Sequence, residues 1–350
     1  MLTMPAGPAI RRLTTSPLVV SLGAHILDIL GRPVTSIPPG QGSVLLQEIR
    51  ITAAGTAAGT SVDLAKLGAR VVAMGAIGQD EIGTMLATLL ERHGVDTSRL
   101  ARKPGVQTSA TMLPIRPNGD RPAFHVIGAN GELRLPDVDL AAIAAADVLH
   151  VGGPEVLGEF LGAPLARVLA TAREHGVLVT MDLLRPGDRS VLRRLRPLLA
   201  AVDCFLPNED QLLAITGLAD VDQAIAAVLA TGVGVIVVTR GAAGSRVVGA
   251  DVDLSLPALP APVLDTTGCG DAYTAGLIIG LCRGIGLHRA AWLGAAAAAL
   301  VAQGLGSDAI LTDFEHAVRY LAEVGSDLGA PVIPLEPGSV PQSALDPRSS

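Results

Sequence analysis

Short apolar runs and stretches of helical period alternate along most of the chain. Runs rich in Val, Ile and Leu predict six β-strands, at residues 18–22, 70–74, 147–151, 177–181, 203–206 and 234–239. Apolar residues spaced three and four apart predict helices at residues 59–67, 81–93, 164–175, 221–230, 272–281 and 287–302. Alternation of this kind is typical of an α/β fold with a mostly parallel sheet and helices on both faces. Ligands of such folds bind at the carboxyl ends of the strands.

Two segments, residues 31–53 and 107–129, interrupt this alternation. Each alternates apolar and polar residues, lacks a helical period and contains Pro-Gly or Asn-Gly turn signals. They predict the strands and hairpins of a separate small sheet. The ends of the chain, residues 1–16 and 338–350, are rich in Pro, Ser, Thr and Gly without a pattern that could bury a face. We therefore expect disordered tails.

Composition favours an enzyme with a large aliphatic core. Hydrophobic residues make up 49% of the 350 residues but aromatic residues only 2%, so the core is built from Ala, Val, Leu and Ile. So few rings leave little surface for stacking nucleic-acid bases. The net charge is −7, and the longest basic run is the short patch at residues 193–196. A nucleic-acid partner is therefore not expected.

Cysteine usage and the lengths of apolar runs bear on the compartment. The three cysteines are widely spaced and show neither a disulfide framework nor a metal-ligand pairing, which favours a reducing compartment. The run at residues 18–22 is too short for the core of a signal peptide, and residues 291–301 are too few to span a bilayer. We therefore expect a cytoplasmic protein without a membrane partner. The cysteines concerned are Cys204, Cys269 and Cys282.

The run from Asp265 to Gly276 carries the strongest chemical signal. Its glycines, Gly268 and Gly270, allow positive φ and close approach, so that successive backbone N–H groups can converge on an oxyanion. The helix predicted next favours phosphate at its N-terminus. Asp271 lies in its first turn, within reach of a hydroxyl beside that phosphate. This arrangement suits phosphoryl transfer, although a lone Asp near glycines is also a common helix cap.

The whole run resembles the C-terminal signature of the PfkB (ribokinase-like) carbohydrate kinases, D-T-x-G-A-G-D followed by small residues and a helix. Cys269 stands where Ala is common, one small residue for another. The resemblance covers roughly residues 17–325 as one kinase domain and implies that Asp271 is the catalytic base. It implies a discontinuous β-lid formed by residues 31–53 and 107–129, which in this family often also makes the dimer contact. The anion hole is implied to consist of Gly268, Cys269 and Gly270.

Segments in the first half fit the acceptor side of such a kinase. Asp28 falls at the spacing of the family's substrate-binding Asp, although Ile26 replaces an Asn often found two residues earlier. Residues 54–68 resemble the signature G-G-x-x-x-N-x-A, but Gly59 stands in place of the Asn, so one amide for a sugar hydroxyl is missing. This loss predicts a substrate different from that of ribokinase itself. On the residues alone, Asp28 also fits a solvated loop and Asn130 an ordinary turn. The resemblance implies substrate contacts from Asp28, Gly55, Thr56, Gly59 and Asn130.

Segments in the second half fit the nucleotide side. Residues 206–212 resemble the family's N-x-x-E motif, which orders Mg²⁺, but Gln211 stands in place of the Glu and lacks its charge. The neighbouring carboxylate of Glu209 or Asp210 could compensate, and helix capping is the other interpretation of this acidic cluster. Residues 238–244 end a strand with a glycine turn suited to phosphate or ribose. The resemblance implies nucleotide contacts from Asn208, Thr239, Arg240, Gly241, Gly244 and Thr266.

The resemblance also implies the cofactors ATP and Mg²⁺, with K⁺ as a further cation. The magnesium site is expected at Glu209 and Gln211. The monovalent-cation site is expected at Asp265 and Thr267, bordered by Gly304, Gly306 and Asp308.

These residues together predict transfer of the γ-phosphoryl group of ATP to a primary hydroxyl of a sugar or sugar-like molecule, with Asp271 as general base. The expected assembly is a homodimer through the lid. Two alternatives stay open: a nucleoside kinase of the same fold, which the scarcity of aromatic residues disfavours, and a catalytically weak sugar or nucleotide sensor, suggested by Gly59 and Gln211. A dehydrogenase is set aside, because residues 23–25 read Gly-Ala-His where a dinucleotide site needs G-x-G-x-x-G.

Overall fold

Thirteen strands and ten α-helices are present in residues 13–118 and 120–335, the part of the chain that the computed structural model describes. The strands are β1 (Leu18–Gly23), β2 (Ile26–Arg32), β3 (Glu48–Ala54), β4 (Arg70–Gly78), β5 (Asp96–Lys103), β6 (Ala110–Pro114), β7 (Phe124–Val126), β8 (Val148–Gly152), β9 (Leu178–Asp182), β10 (Cys204–Leu206), β11 (Val235–Thr239), β12 (Ser245–Gly249) and β13 (Val252–Leu256). The helices are α1 (Thr56–Lys66), α2 (Glu81–Arg92), α3 (Leu140–Ala145), α4 (Ala163–Glu174), α5 (Arg189–Leu199), α6 (Glu209–Thr216), α7 (Val221–Leu229), α8 (Cys269–Cys282), α9 (Leu287–Val301) and α10 (Phe314–Gly325).

Nine strands form the central sheet, in the order β13-β12-β11-β10-β9-β8-β1-β4-β5. The seven strands from β11 to β5 are parallel, whereas β12 and β13 form an antiparallel hairpin at one edge. Every residue of β8 and β9 is buried. Strands covered on both faces read as continuous apolar runs, which is why the sequence pattern predicted them.

Helices cover both faces of this sheet. Neighbouring residues of β1 point to opposite sides, so that Val19 belongs to the core beneath α1, α2, α8, α9 and α10, and Val20 to the core beneath α3 to α7. The predicted α/β fold, with a mostly parallel sheet between two helical layers, is confirmed.

The strands absent from the prediction lie at the edges of the central sheet. The edge strand β5 is largely polar and exposed, and the β12–β13 hairpin is buried on one face only. Edge strands carry polar residues because one side meets water, so they lack the apolar run that marks a central strand.

The small sheet has four strands, in the order β3-β2-β6-β7. Its strand β2 follows β1 after only two residues, so the chain passes directly from the central sheet into the small one. The predicted small sheet is therefore present, although it begins at Ile26 rather than at residue 31 and has no strand between residues 33 and 47. Asp28 consequently lies within a strand and not in a loop.

Most residues of the two predicted tails, 1–12 and 338–350, lie outside the described residues. Of residues 13–16, Thr14 donates its backbone N–H to the carbonyl oxygen of Cys282 at 2.8 Å. In the described ranges no single helix is both long and apolar enough to cross a membrane; α6 and α7 meet that test only together, and they are bent by 69° at the break between them.

Candidate active site

A cavity of about 180 Å³ opens at the carboxyl ends of several central strands. Asp182, Leu206 and Thr239, which are the last residues of β9, β10 and β11, line one side of it. The starts of α1 and α8 and the strand β2 line the other side. The cavity therefore lies where parallel α/β folds bind ligands.

Asp271 is the third residue of α8 and faces this cavity. The helix is preceded by Gly268 in the left-handed conformation, at φ 80°, and no side chain caps it. The interpretation of Asp271 as a helix cap is therefore wrong. Burial, followed by the nearby charge of Asp28, raises the pKa of Asp271 to about 7, and Arg121 opposes this rise. A carboxylate with a pKa near neutrality is suited to take up a proton.

The N-terminus of α8 forms an open cradle beside Asp271. A Cβ built on Gly268 would lie 2.4 Å from the Cα of Ser307, whereas a Cβ on Gly270 would meet no atom within 4 Å. Gly268 thus permits close loop packing, and Gly270 keeps the helix N-terminus accessible from the cavity. Because the first N–H groups of the helix have no side-chain partner, they can bind an anion. Burial raises the pKa of the Cys269 thiol to about 12, so this side chain stays neutral.

Asp28, on β2, brings a second carboxylate to the same cavity. It pairs in register with Thr111 of β6, and only 6% of it is exposed. Burial raises the pKa of Asp28 to about 6, while the hydrogen bond from the Thr111 side chain and the charge of Arg121 lower it. The small sheet therefore holds a sparsely solvated hydrogen-bond acceptor over the cavity.

The start of α1 lies opposite α8 and also lines the cavity, through Gly55 and Thr56. Gly55 has φ 82°, and a Cβ there would lie 2.6 Å from the carbonyl oxygen of Ala24. At Gly59 a Cβ would lie 2.2 Å from the Oδ2 atom of Asp271. The catalytic candidate therefore packs directly on the backbone of α1 at the position where the sequence lacks a side chain.

Arg121 is a cavity residue that the sequence analysis missed. It lies between β6 and β7, and its Nη1 donates to the Thr267 hydroxyl at 3.1 Å. Among the described residues that line the cavity it is the only Arg or Lys, and it lowers the pKa of both Asp28 and Asp271. The Asn-Gly turn just before it marked this segment as a loop tip of the small sheet, which was the available signal.

Asp182 is a further carboxylate that the sequence analysis missed. It ends β9, its Oδ1 accepts from the N–H of Gly153 at 3.3 Å, and its Oδ2 lies 3.7 Å from Nε2 of His150. Burial lowers the pKa of His150 to about 4, so this neighbour is neutral. Burial, and then the charge of Asp271, raise the pKa of Asp182 well above its ordinary value. The sequence feature that could have identified Asp182 is its position directly after the apolar strand predicted at residues 177–181.

With this geometry established, comparison with known proteins identifies the family. The model of the pfkB family carbohydrate kinases matches residues 16–313. The chain belongs to this family. It is therefore a carbohydrate kinase, a phosphotransferase with an alcohol group as acceptor.

Individual relatives agree with the PfkB assignment. A fructokinase from Klebsiella pneumoniae is 28% identical over 269 residues, which cover 74% of this chain and 83% of the relative. The fold is similar to that of an Arabidopsis thaliana ribokinase complexed with ribose and ATP, with a TM-score of 0.72, 23% identity and coverage of 88% and 99% of the two chains. It is also similar to an adenosine kinase from Sinorhizobium meliloti, with a TM-score of 0.73, 24% identity and coverage of 87% and 99%.

Asn130 does not face the cavity of this PfkB kinase, contrary to the predicted substrate contact. Its side-chain oxygen accepts from the N–H of His25, and its nitrogen donates to the carbonyl of the same residue, both at 3.1 Å. The amide is buried, and both its oxygen and its nitrogen are hydrogen-bonded. Asn130 therefore stabilises the two-residue connection between β1 and β2, which positions Asp28.

Gln211 lines the cavity, but both ends of its amide are hydrogen-bonded within the protein. Its Oε1 accepts from the N–H of Asn208 at 2.8 Å, and its Nε2 donates to the carbonyl of Leu183 at 2.9 Å. Asn208 in turn accepts from the N–H of Gln211, which completes a capping box at the start of α6. A Glu could not donate to Leu183, so the amide fits this structural task. Glu209, the other predicted ligand, pairs with Arg240 at 2.8 Å.

The predicted nucleotide residues are divided between the cavity and its surroundings. Asn208, Thr239 and Thr266 line the cavity. Arg240 and Gly241 lie just beyond its lining, after the end of β11. Gly244 has a packing role, because a Cβ there would lie 2.0 Å from the carbonyl oxygen of Leu256.

Asp265 joins two loops through the hydrogen bonds of its carboxylate. Its Oδ1 accepts from the N–H and the hydroxyl of Thr267, and its Oδ2 accepts from the N–H of Gly306 at 2.9 Å. Thr267 also receives the guanidinium of Arg121. These hydrogen bonds do not support the predicted role of Asp265 and Thr267 as monovalent-cation ligands, which stays a prediction. Asp308 points elsewhere and pairs with Arg50 at 2.9 Å.

Proposed function

We propose that this PfkB kinase transfers the γ-phosphoryl group of ATP to a primary hydroxyl of a sugar or sugar-like molecule, with Asp271 as general base. The observation that carries the proposal is the meeting of a buried carboxylate with the uncapped N-terminus of α8 in one cavity. An anion held by that helix end lies next to a base that can deprotonate an alcohol. The Arabidopsis ribokinase of the same fold, complexed with ribose and ATP, supports the choice of nucleotide.

The phosphate side of the cavity fits a nucleotide. The N–H groups at the start of α8, left open by Gly270, would bind the γ-phosphoryl oxygens. Arg121 supplies a positive charge near them, so charge that develops on the moving group is balanced. Mg²⁺, when bound with the nucleotide, would neutralise phosphate charge and order it. Among the described residues, no group of three or more His, Cys, Asp or Glu side chains is placed to hold a metal ion, and Glu209 is paired with Arg240. This fits a cation carried mainly by phosphates and water.

The acceptor side supplies hydrogen-bond acceptors for hydroxyl groups. Asp28 reaches the cavity from the small sheet, and Thr56 from the start of α1. Two oxygens of one carboxylate can bind two adjacent hydroxyls of a sugar, which fixes the molecule relative to Asp271. We therefore assign Asp28, Gly55 and Thr56 to acceptor binding. Gly59 has a different role, to give Asp271 room.

The reaction then follows from these positions. Asp271 takes the proton as the O–H bond of the acceptor breaks, and the acceptor oxygen forms its bond to the γ-phosphorus. The bond between that phosphorus and the β,γ-bridging oxygen breaks, and its electron pair leaves with ADP. The small sheet, by closing as a lid over the cavity, would exclude water and limit hydrolysis of ATP.

A nucleoside kinase is the second candidate function. The adenosine kinase from Sinorhizobium meliloti has the same fold, and a nucleoside also presents a primary hydroxyl. No aromatic side chain is among the described residues that line the cavity, so a nucleobase acceptor has no ring to stack on. This observation favours the sugar acceptor. The intact Asp271 and its cradle likewise disfavour a non-catalytic sensor.

The deciding experiment is ADP release from ATP and Mg²⁺ against a panel of free sugars, sugar acids and nucleosides. We expect turnover of the natural chain with a free sugar, and turnover of the Asp271→Asn variant with the same sugar that is lower by orders of magnitude. The assay belongs at pH 8, because a base whose pKa is raised to about 7 is ionised above that value and loses activity as the pH falls through it. Turnover with nucleosides alone would promote the second candidate, and silence across the panel would contradict the kinase assignment.

We further propose that the chain forms a homodimer through the outer face of the small sheet. Ile51, Ile29, Met112 and Phe124 lie in register across all four strands, one from each. They form what we term the apolar row, and each is 36–58% exposed. Asp28, which precedes Ile29 on β2, lines the cavity instead, and Thr111, its neighbour on β6, is buried. An apolar face that spans a whole sheet is suited to pack against its own copy about a two-fold axis.

Met112→Glu tests this dimer. We expect the mutant to sediment and scatter as a monomer where the natural chain behaves as a dimer, because a charge at the centre of a buried apolar contact must be desolvated. Leu328→Glu, at an exposed apolar residue remote from the small sheet, is the matched control and should leave the dimer intact. A natural chain that is monomeric, or a Met112→Glu variant that stays dimeric, would rule out this interface.

A further inference from the structure

Asp63 is a fully buried carboxylate that the mechanism above does not use. It lies on α1, one turn beyond Gly59, and its side chain has no exposed surface. Neither of its oxygens accepts a hydrogen bond from any residue that the structure describes. Its nearest cation, Lys66, keeps its Nζ 4.0 Å away and donates to the carbonyl of Asp308 at 2.7 Å. Burial of a carboxylate with so little compensation is costly, so its presence beside a catalytic group points to a function.

Helix α1 places Asp63 next to the catalytic base. The helix packs along α8, and the Oδ2 of Asp271 occupies the space that a side chain at position 59 would need. Positions 59 and 63 are four apart and lie on the same face of the helix. The two carboxylates therefore approach each other across a surface with no side chain at Gly59. Burial and the charge of Asp271 raise the pKa of Asp63 well above its ordinary value, against the opposing charge of Lys66.

Polar groups continue from Asp63 to the surface of the protein. Beyond Lys66, the carboxylate of Asp308 lies 2.9 Å from Arg50 of β3 and 3.6 Å from the Nε2 of His93. Asp308 and His93 are partly exposed, with 18% and 28% of their side chains accessible. This series of residues leads from the buried carboxylate to side chains that are partly exposed to solvent.

We propose that Asp63 is the proton-sharing partner of Asp271, a positioning residue that keeps the base ionised and through which the proton of the acceptor leaves. This inference rests on the proposed function. In the working enzyme the pair holds one proton, on Asp63, because two adjacent buried carboxylates do not both ionise easily. When Asp271 takes the proton of the acceptor hydroxyl, the pair holds two, and it returns to one when Asp63 releases a proton toward the carboxylate of Asp308.

The groups that bear on this titration come from several elements. Asp63 is faced by Lys66 on its own helix, by Asp271 and Cys269 on α8, and by Asp308 before α10. Asp271 is also influenced by Asp28 and Arg121 from the small sheet, and it raises the pKa of Asp182. Since a carboxylate whose pKa is raised by folding binds more protons in the folded state, the stability that it permits is present at low pH and lost as the pH rises toward the raised pKa.

The first test is a double-mutant cycle that needs no enzyme activity. The free energy of unfolding is measured at pH 5 and pH 9 for the natural chain, Asp63→Asn, Asp271→Asn and the double mutant. At pH 5 both carboxylates are protonated, and we expect additive effects. At pH 9 Asp271 is ionised and interacts with Asp63, so the effects of the two single changes are not independent and the double mutant departs from their sum. Additivity at both pH values would overturn the proposal.

The second test is the pH profile of kcat with the acceptor identified by the panel. The natural enzyme should lose activity at alkaline pH as Asp63 loses its proton, because the added negative charge beside Asp271 repels the phosphoryl group. Asp63→Asn should abolish this alkaline decline while the acid limb near pH 7 remains. Lys66→Gln, which retains Asp63 and removes the cation beside it, should move the alkaline decline to higher pH. Identical profiles for all three proteins would overturn the proposal. If the natural chain were inactive with every sugar and nucleoside of the panel, the proposed kinase activity would be refuted. The double-mutant cycle of unfolding free energies would still decide whether Asp63 and Asp271 interact.

Discussion

Asp271→Asn is expected to lower kcat by about 10²–10⁴-fold, the usual contribution of a general base. The substitution keeps the size and the hydrogen-bonding reach of the side chain but removes its ability to take a proton. Because we propose that the N-terminus of α8 and Arg121 hold the nucleotide, we expect its affinity to change little. Steady-state kinetics of ADP release and a direct titration of nucleotide binding measure the two quantities separately.

The matched control for this prediction is Asp327→Asn, the same chemical change at an exposed position remote from the cavity. It should leave both kcat and nucleotide binding unchanged. If Asp271→Asn retained full turnover while the control did the same, the base would have to be another group, and Asp182 would be the next carboxylate to test. If nucleotide binding were lost together with turnover, Asp271 would contribute to binding rather than to proton transfer alone.

Gly59→Ala is expected to reduce both kcat and the free energy of unfolding. The added Cβ would lie 2.2 Å from Oδ2 of Asp271, so either the base or helix α1 must move. Displacement of a catalytic group by as little as 1 Å can cost about 10²-fold in rate. Overpacking of this kind costs about 1–3 kcal/mol of unfolding free energy. Kinetics and chemical denaturation of the same preparation give both values.

The direction of the stability change makes this prediction discriminating. Within a helix, Gly→Ala ordinarily stabilises by about 0.5–1 kcal/mol, so a loss of stability at Gly59 would reveal the steric conflict. Gly131→Ala is the control, because its added Cβ would lie 3.4 Å from the nearest atom, a methyl carbon of Ile127. A Gly59→Ala variant that is more stable and fully active would show that Asp271 occupies another position in the working enzyme.

The departures from the family signatures acquire physical explanations in the structure. Gly59, which stands where the family has Asn, gives Asp271 its place against α1. Gln211, which stands where the family has Glu, uses both ends of its amide to join the start of α6 to Leu183. In each case a group that would face the ligand has been replaced by one that organises the protein. We therefore expect acceptor and metal binding to rely on Asp28, Thr56 and the nucleotide phosphates.

Much of the fold followed from local pattern. The buried parallel strands are continuous apolar runs, and the helices carry apolar residues at helical spacing, because both patterns reflect burial of a whole face. The glycine-rich run around Asp271 likewise pointed to an anion site with a base, since its geometry is set by neighbouring residues of one turn and one helix. The edge strands were not predicted from the sequence, because one of their sides contacts water and their residues do not form an apolar run.

What the local pattern could not determine is which side chains meet after folding. Asn130 and Gln211 have the right chemistry for a ligand, but each is engaged by backbone groups distant in sequence or across a helix cap. Arg121 reaches the cavity from a loop that carries no motif, and Asp63 lies buried at a position of α1 that the family signature does not mark. Identity and spacing along the chain determine helices, strands and turns, whereas charge pairing, burial and free hydrogen-bonding capacity depend on contacts between distant segments, which arise only in the folded molecule.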